Sequence, residues 1–485
     1  MLRSTNPIIA LVFVAITVLH LLCGVSIDHC GFLVSVLAVL VETTLSVATN
    51  NTTSFSTILS NIPKDPRTII RATSNEPVTT TYVCCPRCFA IYPLNEDYPD
   101  RCVSRTAPEE PQCNAALRTI RTIGGKRRSV PIRKFVYQHF AEWFAAFICR
   151  PGVEDLIDRS YSRKATEASD IWEASIMADV MDTDGSPFFS SECSGRYAWS
   201  ICVDGFAAYG KGGPTASLGS CYLACLNLPP QERYKYENMF LAFVVPGPNH
   251  LNDDQPNHLL RPLIDDFLKA WLPGIHLSST LKHPTGRMTR HAIVPAVADL
   301  LAIRSMVGFS PHNSKDFFCS FCLLPLKDKE NFDWESWPKR TCEEHRRLAQ
   351  AWSSAKTKKE RNTLFEANGV RWSELLRLPY WDPIKYSVID VMHTVLLRVV
   401  ATEIQQVLGM SFKHDDGLNG ISFDLSKKQP STGELIAAFT TLKTGSAAQV
   451  RALRKPILKI LCRNSGLSFR GAGGKLKSRL LDYVR

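Results

Sequence analysis

Two aspartates stand where strand-like runs end. Tyr197 to Val203 is an apolar run that finishes in Asp204-Gly205, and Ala292 to Ala298 is another that finishes in Asp299, ahead of a helical stretch from Leu300 to Val307. A third acid, Asp390, opens an apolar helix with His393 after the run from Tyr386, and Glu403 on the same helix is its alternative. Carboxylates converging from separate strands are the hard oxygen ligands that Mg²⁺ or Mn²⁺ takes, and two such ions drive phosphoryl transfer. Asp-Gly is also a common turn pair, so Asp204 alone says little. An acid at a helix start can equally be a cap.

The cysteines fall in metal-type spacings. Cys85-x-x-Cys88 with Cys102 and Cys113 offers four thiolates, enough to close a tetrahedral structural Zn²⁺ site, with Cys84 adjacent as a substitute ligand. A second set, His312, Cys319 and Cys322, lacks an obvious fourth ligand; Cys342 and His345 are available to it. Sixteen cysteines in 485 residues do not indicate a secreted disulfide scaffold, because that economy belongs to chains too short to build a core. These spacings point to a reducing compartment. Buried free thiols are the alternative.

The positive charge is concentrated at the C-terminus. The chain carries a formal +11, and residues 447–485 hold ten basic residues against the single acid Asp482, leaving the rest near neutral. Leu458 to Val484 reads as a helix, a turn at Gly466, an extended Leu-Ser-Phe-Arg, a Gly-rich turn and a second helix, with Leu476, Leu480 and Leu481 on one face. The pattern is similar to the SAP domain, a helix-extended-helix module that binds DNA. Lys455, Lys459, Arg463, Arg470, Lys475, Lys477 and Arg479 then form the phosphate-facing side.

The elements that must position these groups follow from texture. With 45% hydrophobic and 21% charged residues, neither wholesale disorder nor a multi-span membrane protein is indicated. Residues 1–47 are an apolar helical hairpin, with a signal or membrane segment as the alternative for the run from Ile8 to Ile27. Residues 48–80 are a linker, 81–116 the Cys-rich module and 117–190 a helical region, on the aromatic periodicity of Phe135, Phe140, Trp143, Phe144, Phe147 and Ile148. Residues 191–410 form the core, interrupted by a Cys/His and polar helical insertion at 308–370; 411–446 are a linker and 447–485 the basic unit. Within the core, strands at Tyr197–Val203, Ser217–Leu226 and Met239–Val245, a helix at Leu259–Trp271, a strand into Asp299 and a further helix follow the RNase H-like order. The expected fold is α/β, a mixed five-stranded sheet flanked by helices.

The runs "YVCCPRCFAIYPLNEDYPDRC", "VDGFAAYG", "CYLACLNLPPQERYKYENMFLAFVVPGPNHLNDDQPNHLLRPLIDDFL", "FFCSFCLL" and "RWSELLRLPYWDPIKYSVIDVMH" together resemble the transposases of CACTA (En/Spm)-type DNA transposons, in the form common in mushroom-forming fungi. The resemblance implies a nuclear DNA-strand transferase that works on transposon ends as a homo-oligomer, with Asp204 and Asp299 as its first two catalytic acids. The Asp-x-Met-His motif at Asp390 to His393 makes Asp390 the leading candidate for the third. Two departures from the family pattern, Ala207, Ala208 and Tyr209 after the first acid and Thr394 and Arg398 after Met-His, leave open a catalytically inactive DNA-binding protein of the same ancestry. A membrane-anchored protein is the weaker alternative.

Overall fold

The computed structural model describes residues 6–21, 23–49, 62–73, 77–95, 97–159, 170–190, 194–207, 217–247, 251–252, 254–404, 412–413, 422–423, 430, 432–469 and 472–484. They form two compact units, Met1–Ile389 and Asp390–Arg485.

The first unit begins with α1 (Pro7–Leu21), α2 (Ile27–Thr49) and α3 (Pro66–Ala72). Ile9, Val12, Phe13 and Ile16 of α1 pack on Cys30 and Val34 of α2 and on Ile62 and Ile69. The expected hairpin is therefore buried on one face only, since Leu11 (70% exposed), Phe32 (68%), Val39 and Leu40 face outward. Ile27–Thr44 is long and apolar enough to cross a membrane, by length and composition.

Next come β1 (Thr79–Cys84), β2 (Ile91–Pro93), β3 (Arg118–Ile123), β4 (Lys126–Pro131), β5 (Lys134–Gln138) and α4 (Phe140–Ile148). The helical region expected from residue 117 is thus strand up to Gln138. In β5 the burial alternates, with Phe135 and Tyr137 inward and Lys134 and Val136 outward, which is the period of a strand. Helical spacing holds only from Phe140 onward, where Phe140, Phe144, Phe147 and Ile148 are buried.

The core strands are β6 (Arg196–Ala207), β7 (Ser217–Cys225) and β8 (Met239–Val244), followed by α5 (Pro256–Trp271), β9 (Ile275–Leu277), β10 (Arg287–Ala298) and α6 (Leu300–Val307). α7 (Cys342–Ser354) and α8 (Lys358–Asn368) lie in the polar insertion before β11 (Ser387–Ile389). β6, β7 and β8 form an antiparallel meander, while β10 runs parallel to β6 and β11 parallel to β10. The sheet is longer than the five strands expected. It has nine, in the order β11-β10-β6-β7-β8-β5-β1-β2 with β9 on β10, because β5 joins the outer edge of β8 and brings the Cys-rich module's strands with it.

Aromatic packing holds the helices to this sheet. Phe140 and Phe144 of α4 meet Trp199 of β6 and His291 of β10, and Phe140 also meets Phe240 and Phe267. His291 is fully buried and accepts from Trp199 Nε1 at 3.1 Å through Nδ1; burial pushes its pKa down to about 3, so it is neutral.

Arg196, the first residue of β6, is the register partner of Arg290 in β10, a like-charge pairing that costs stability unless neutralised. Asp182 neutralises it: it takes a bidentate pair from Arg290 at 2.6 and 2.8 Å and a third contact from Arg196 at 2.8 Å. The Arg290 hydrogen bonds, helped by Thr183 N–H, outweigh burial and hold the Asp182 carboxyl at about 2 against an ordinary 3.8. Its folded pKa is depressed, so the linkage is present above the unfolded value and is lost as pH falls from about 4 towards 2, a loss of about 2 kcal/mol. Denaturant melts across that window should show the decline. Asp182→Asn should lose about 2 kcal/mol at neutral pH by removing the counter-charge of two half-buried guanidinia, and its melts should no longer carry that part of the acid sensitivity.

Among its described residues the second unit contains a π-helical segment, Met392–Val400, and four helices, α9 (Thr432–Thr444), α10 (Ala447–Ala452), α11 (Lys455–Asn464) and α12 (Gly473–Val484). α9 falls in the expected linker 411–446. Its Ala438 and Leu442 share one core with Val450, Ile457, Leu458, Leu461, Cys462, Leu476 and Leu480, so the basic unit is a four-helix body. α11 ends in a Schellman motif: Gly466 takes φ 68°, Gly466 N–H donates to Arg463 O, and Leu467 N–H donates to Cys462 O at 2.8 Å. That turn directs Leu467 back onto the core.

Candidate catalytic acids and metal centre

Asp204 is exposed near the end of β6, opposite Ser220 of β7. Asp299 directly follows β10 and caps α6, its Oδ1 accepting from Ala302 N–H at 2.7 Å. The cap explains the local sequence, because the strand must stop where a side-chain oxygen satisfies one of the free N–H groups of the helix's first turn. It also leaves lone pairs for another ligand, since an ionised carboxylate offers about four. Val297 is the register partner of Cys202, and each stands two residues before its aspartate. Asp204 on β6 and Asp299 just past the end of β10 therefore each stand two residues beyond the same register pair, at the carboxyl ends of neighbouring parallel strands, where open α/β sheets bind ligands.

α6 is stopped by Gly308 at φ 86°, where any Cβ would collide with the Arg371 carbonyl. Arg304 of α6 donates to Ser310 O, to Ser320 Oγ at 2.9 Å and to Phe317 O at 2.7 Å, tying the insertion to the helix that Asp299 caps.

Asp390 follows Ile389, the last residue of β11, by one peptide bond. It opens the second unit as a cap: Oδ1 accepts from Met392 N–H at 2.7 Å, and Oδ2 meets His393 Nδ1 at 2.7 Å. Burial opposes its charge, but these hydrogen bonds outweigh it and hold the carboxyl below the usual range. Glu403 is exposed, and Thr394 and Arg398 lie in or beside the same helical segment. Ala208 and Tyr209 lie outside the described residues.

The first cysteine set is gathered. The Sγ atoms of Cys85, Cys88, Cys102 and Cys113 all lie within 4.8 Å of one another, with Cys85 to Cys113 at 3.8 Å and Cys88 to Cys102 at 3.4 Å. A tetrahedral ion with bonds of about 2.3 Å to sulfur needs edges of about 3.8 Å, so the set fits one ion. The local fold makes this possible. Phe89 takes φ 63°, which turns the chain so that Phe89 N–H donates to Cys85 O and Cys85 N–H to Ala90 O, while Arg87 N–H donates to Cys85 Sγ at 3.4 Å. Tyr92 braces the other half, its hydroxyl 3.2 Å from Cys102 Sγ and accepting from Val103 and Ser104 N–H. Hydrogen bonds from Cys102 and Cys88 hold the Cys85 thiol well below its usual range. Cys84 is not part of the set. It faces the main core, and burial pushes its thiol up to about 12.

The second set is not brought together. Among the described residues only the first set places three or more such ligand atoms within 4.8 Å; His312 is exposed and apart from Cys319 and Cys322. The loop is organised by a guanidinium instead, Arg340 Nε donating to Cys319 O at 3.1 Å and Cys322 O at 3.2 Å. His345 is buried against Phe309 at 4.8 Å between ring centroids, and burial lowers its pKa to about 3.

In the second unit Lys455, Lys459, Arg463 and Lys475 are exposed and Lys477 is half-buried. Arg479 donates to Ser468 O at 2.7 Å, so it also pins the extended segment. Arg470 lies outside the described residues.

Residues 182–365 match the family described as transposase family tnp2. The match supports a transposase family, and it takes in both Asp204 and Asp299. The tnp2 match also covers the meander, α5, β10, α6 and most of the polar insertion, and it ends before Asp390. No curated protein matches the chain.

Proposed function

We propose that this chain is a transposon-derived DNA-binding protein of the CACTA (En/Spm) kind, with an RNase H-like core that cleaves and joins DNA strands. The observation that carries the reading is the parallel pairing of β6 with β10 up to Cys202 and Val297, two residues before Asp204 and Asp299, inside the stretch that matches the tnp2 family. The strand order β11-β10-β6-β7-β8, with an antiparallel meander and two parallel strands beyond it, supports an RNase H-like core. Asp390 is proposed as the third acid on its Asp-x-Met-His motif.

When bound, a pair of Mg²⁺ or Mn²⁺ ions supplies charge to the attacking and leaving oxygens of a phosphodiester. Asp204, on a long strand held on both sides, and Asp299, fixed as a helix cap, present carboxylates that need little reorganisation to take such charge. The four cysteines are proposed to hold a structural Zn²⁺, for which their donor set and spacing are suited. The SAP-like C-terminal unit is proposed to bind DNA backbone, in the nucleus, with a homo-oligomer assembling on transposon ends. Ala207 beside the first acid, and Thr394 and Arg398 after the third, favour the second reading, a catalytically inactive DNA-binding protein of the same ancestry. The apolar Ile27–Thr44 helix favours a membrane anchor, and fractionation of the tagged chain distinguishes that.

Binding is tested by salt titration of the full chain on duplex DNA. Lys455→Gln, Lys459→Gln and Arg463→Gln together should reduce the slope of log affinity against log salt by roughly 2.7, at about 0.9 per lost phosphate contact. An unchanged slope would mean that these cations are only a solvated face.

A further inference from the structure

We infer that the β3–β4 ribbon is a second DNA contact, an arm of the Cys-rich module that lies along duplex DNA; the inference rests on the DNA-binding reading above. Between Glu110 and Glu142 the chain contains seven basic residues and no acid. Two of the seven belong to the module. Arg118 pairs with Asp100 at 2.9 Å and lies 3.7 Å over the Tyr98 ring, and Arg133 lies over Phe89 while donating to Cys85 O. They fix the base of the ribbon to the body that carries the four thiols.

The others are exposed. Arg121, Lys126, Arg127, Arg128 and Lys134 all face solvent. Register places Arg121 directly opposite Arg128, with Ile123 opposite Lys126, so Arg121, Lys126 and Arg128 share one face of the ribbon because side chains repeat every second residue. Like charges directly opposed destabilise a ribbon. Between β6 and β10 the same kind of pairing is neutralised by Asp182, whereas the stretch that forms this ribbon supplies no acid at all. A polyanion is the partner that turns this cost into binding.

Shape agrees with charge. Gly124 and Gly125 take φ 58° and 75°, and a Cβ on either would meet nothing within 4 Å. The tip is a tight two-residue turn standing in open space. Ile120 is 60% exposed and Ile123 48%, which offers apolar contact beside the cations. A major groove about 12 Å wide admits a two-stranded ribbon, while the deep, narrow major groove of an RNA duplex does not.

The test uses the full chain with Arg121→Gln, Lys126→Gln, Arg127→Gln and Arg128→Gln together, with metal content confirming that the module stays intact. On duplex DNA the salt slope should become shallower by roughly 3.6, at about 0.9 per contact. A control of equal charge loss in the polar insertion, Lys327→Gln, Lys329→Gln, Lys358→Gln and Lys359→Gln, should change it much less. The inference is overturned if the ribbon variant keeps the wild-type slope, if the control loses as much, or if an RNA duplex of equal length shows the same loss. A wild-type chain that binds no duplex DNA would overturn the DNA-binding reading itself.

Discussion

Cys88→Ser should abolish binding of the Zn²⁺ proposed for the Cys-rich module and unfold it, and this is the largest stability effect expected in the chain. Structural Zn²⁺ sites in small modules contribute on the order of 10 kcal/mol of binding free energy, which is also folding free energy. The module depends on this more than its neighbours do. Its own core is small, Val83, Cys85, Ala90, Tyr98, Cys102 and Leu117 with a few partners, and two of those residues are ligands. Elemental analysis should find one Zn²⁺ per wild-type chain and close to none in Cys88→Ser. The damage should spread along a definite route. β1 ends at Cys84, next to the first ligand, and pairs with β5, which pairs with β8 at Tyr137 and Phe243. Hydrogen exchange should therefore rise in β1, β2 and β5 and stay low in β6 and β10. Zinc-free wild-type protein, or a zinc content unchanged by Cys88→Ser, would remove the metal from the account.

The core was legible in the sequence to the extent that its elements are self-contained. The run into Asp299, the helix after it and the meander read correctly because each carries its own burial period and its own stop signal, such as the Asp299 cap and Gly308. The outer sheet was not legible. Phe135 and Tyr137 belong to a strand, yet Tyr137 stands at helical spacing before Phe140 and Phe144, so one amphipathic pattern masked a change of period at the His139 cap. The ribbon does carry a sequence signal of its own, Gly124-Gly125 between Ile123 and Lys126, which is a hairpin turn pair.

Spacing proved informative for one cysteine set and not for the other. Cys85 to Cys113 are brought together by a left-handed turn at Phe89 and by the bracing Tyr92, neither of which is a ligand. The second set has the same CxxC spacing, but Arg340 already satisfies its loop carbonyls. The helix α9 was hidden because its apolar residues acquire a partner only when α10 to α12 fold.

The central claim is that Asp204 and Asp299 form a metal-dependent site for DNA strand cleavage. Asp204→Asn keeps the volume and removes the charge. Because Asp204 is exposed and accepts no capping N–H, folding and DNA affinity should stay within error of wild type. Losing a metal ligand should remove several kcal/mol of transition-state stabilisation, about a thousandfold in rate. Asp299→Asn should lose as much activity and also some stability, because its carboxylate caps α6 and a charged cap at a helix N-terminus is worth up to about 1 kcal/mol. The decisive measurement is the rate of Mg²⁺-dependent nicking of duplex DNA carrying candidate transposon ends, for wild type and Asp204→Asn, at salt where both are bound. The account predicts cleavage by the wild type that requires the divalent ion and falls about a thousandfold in the variant with DNA affinity unchanged. Equal rates in the two proteins, or a wild type that binds the DNA and leaves it uncut, would contradict it.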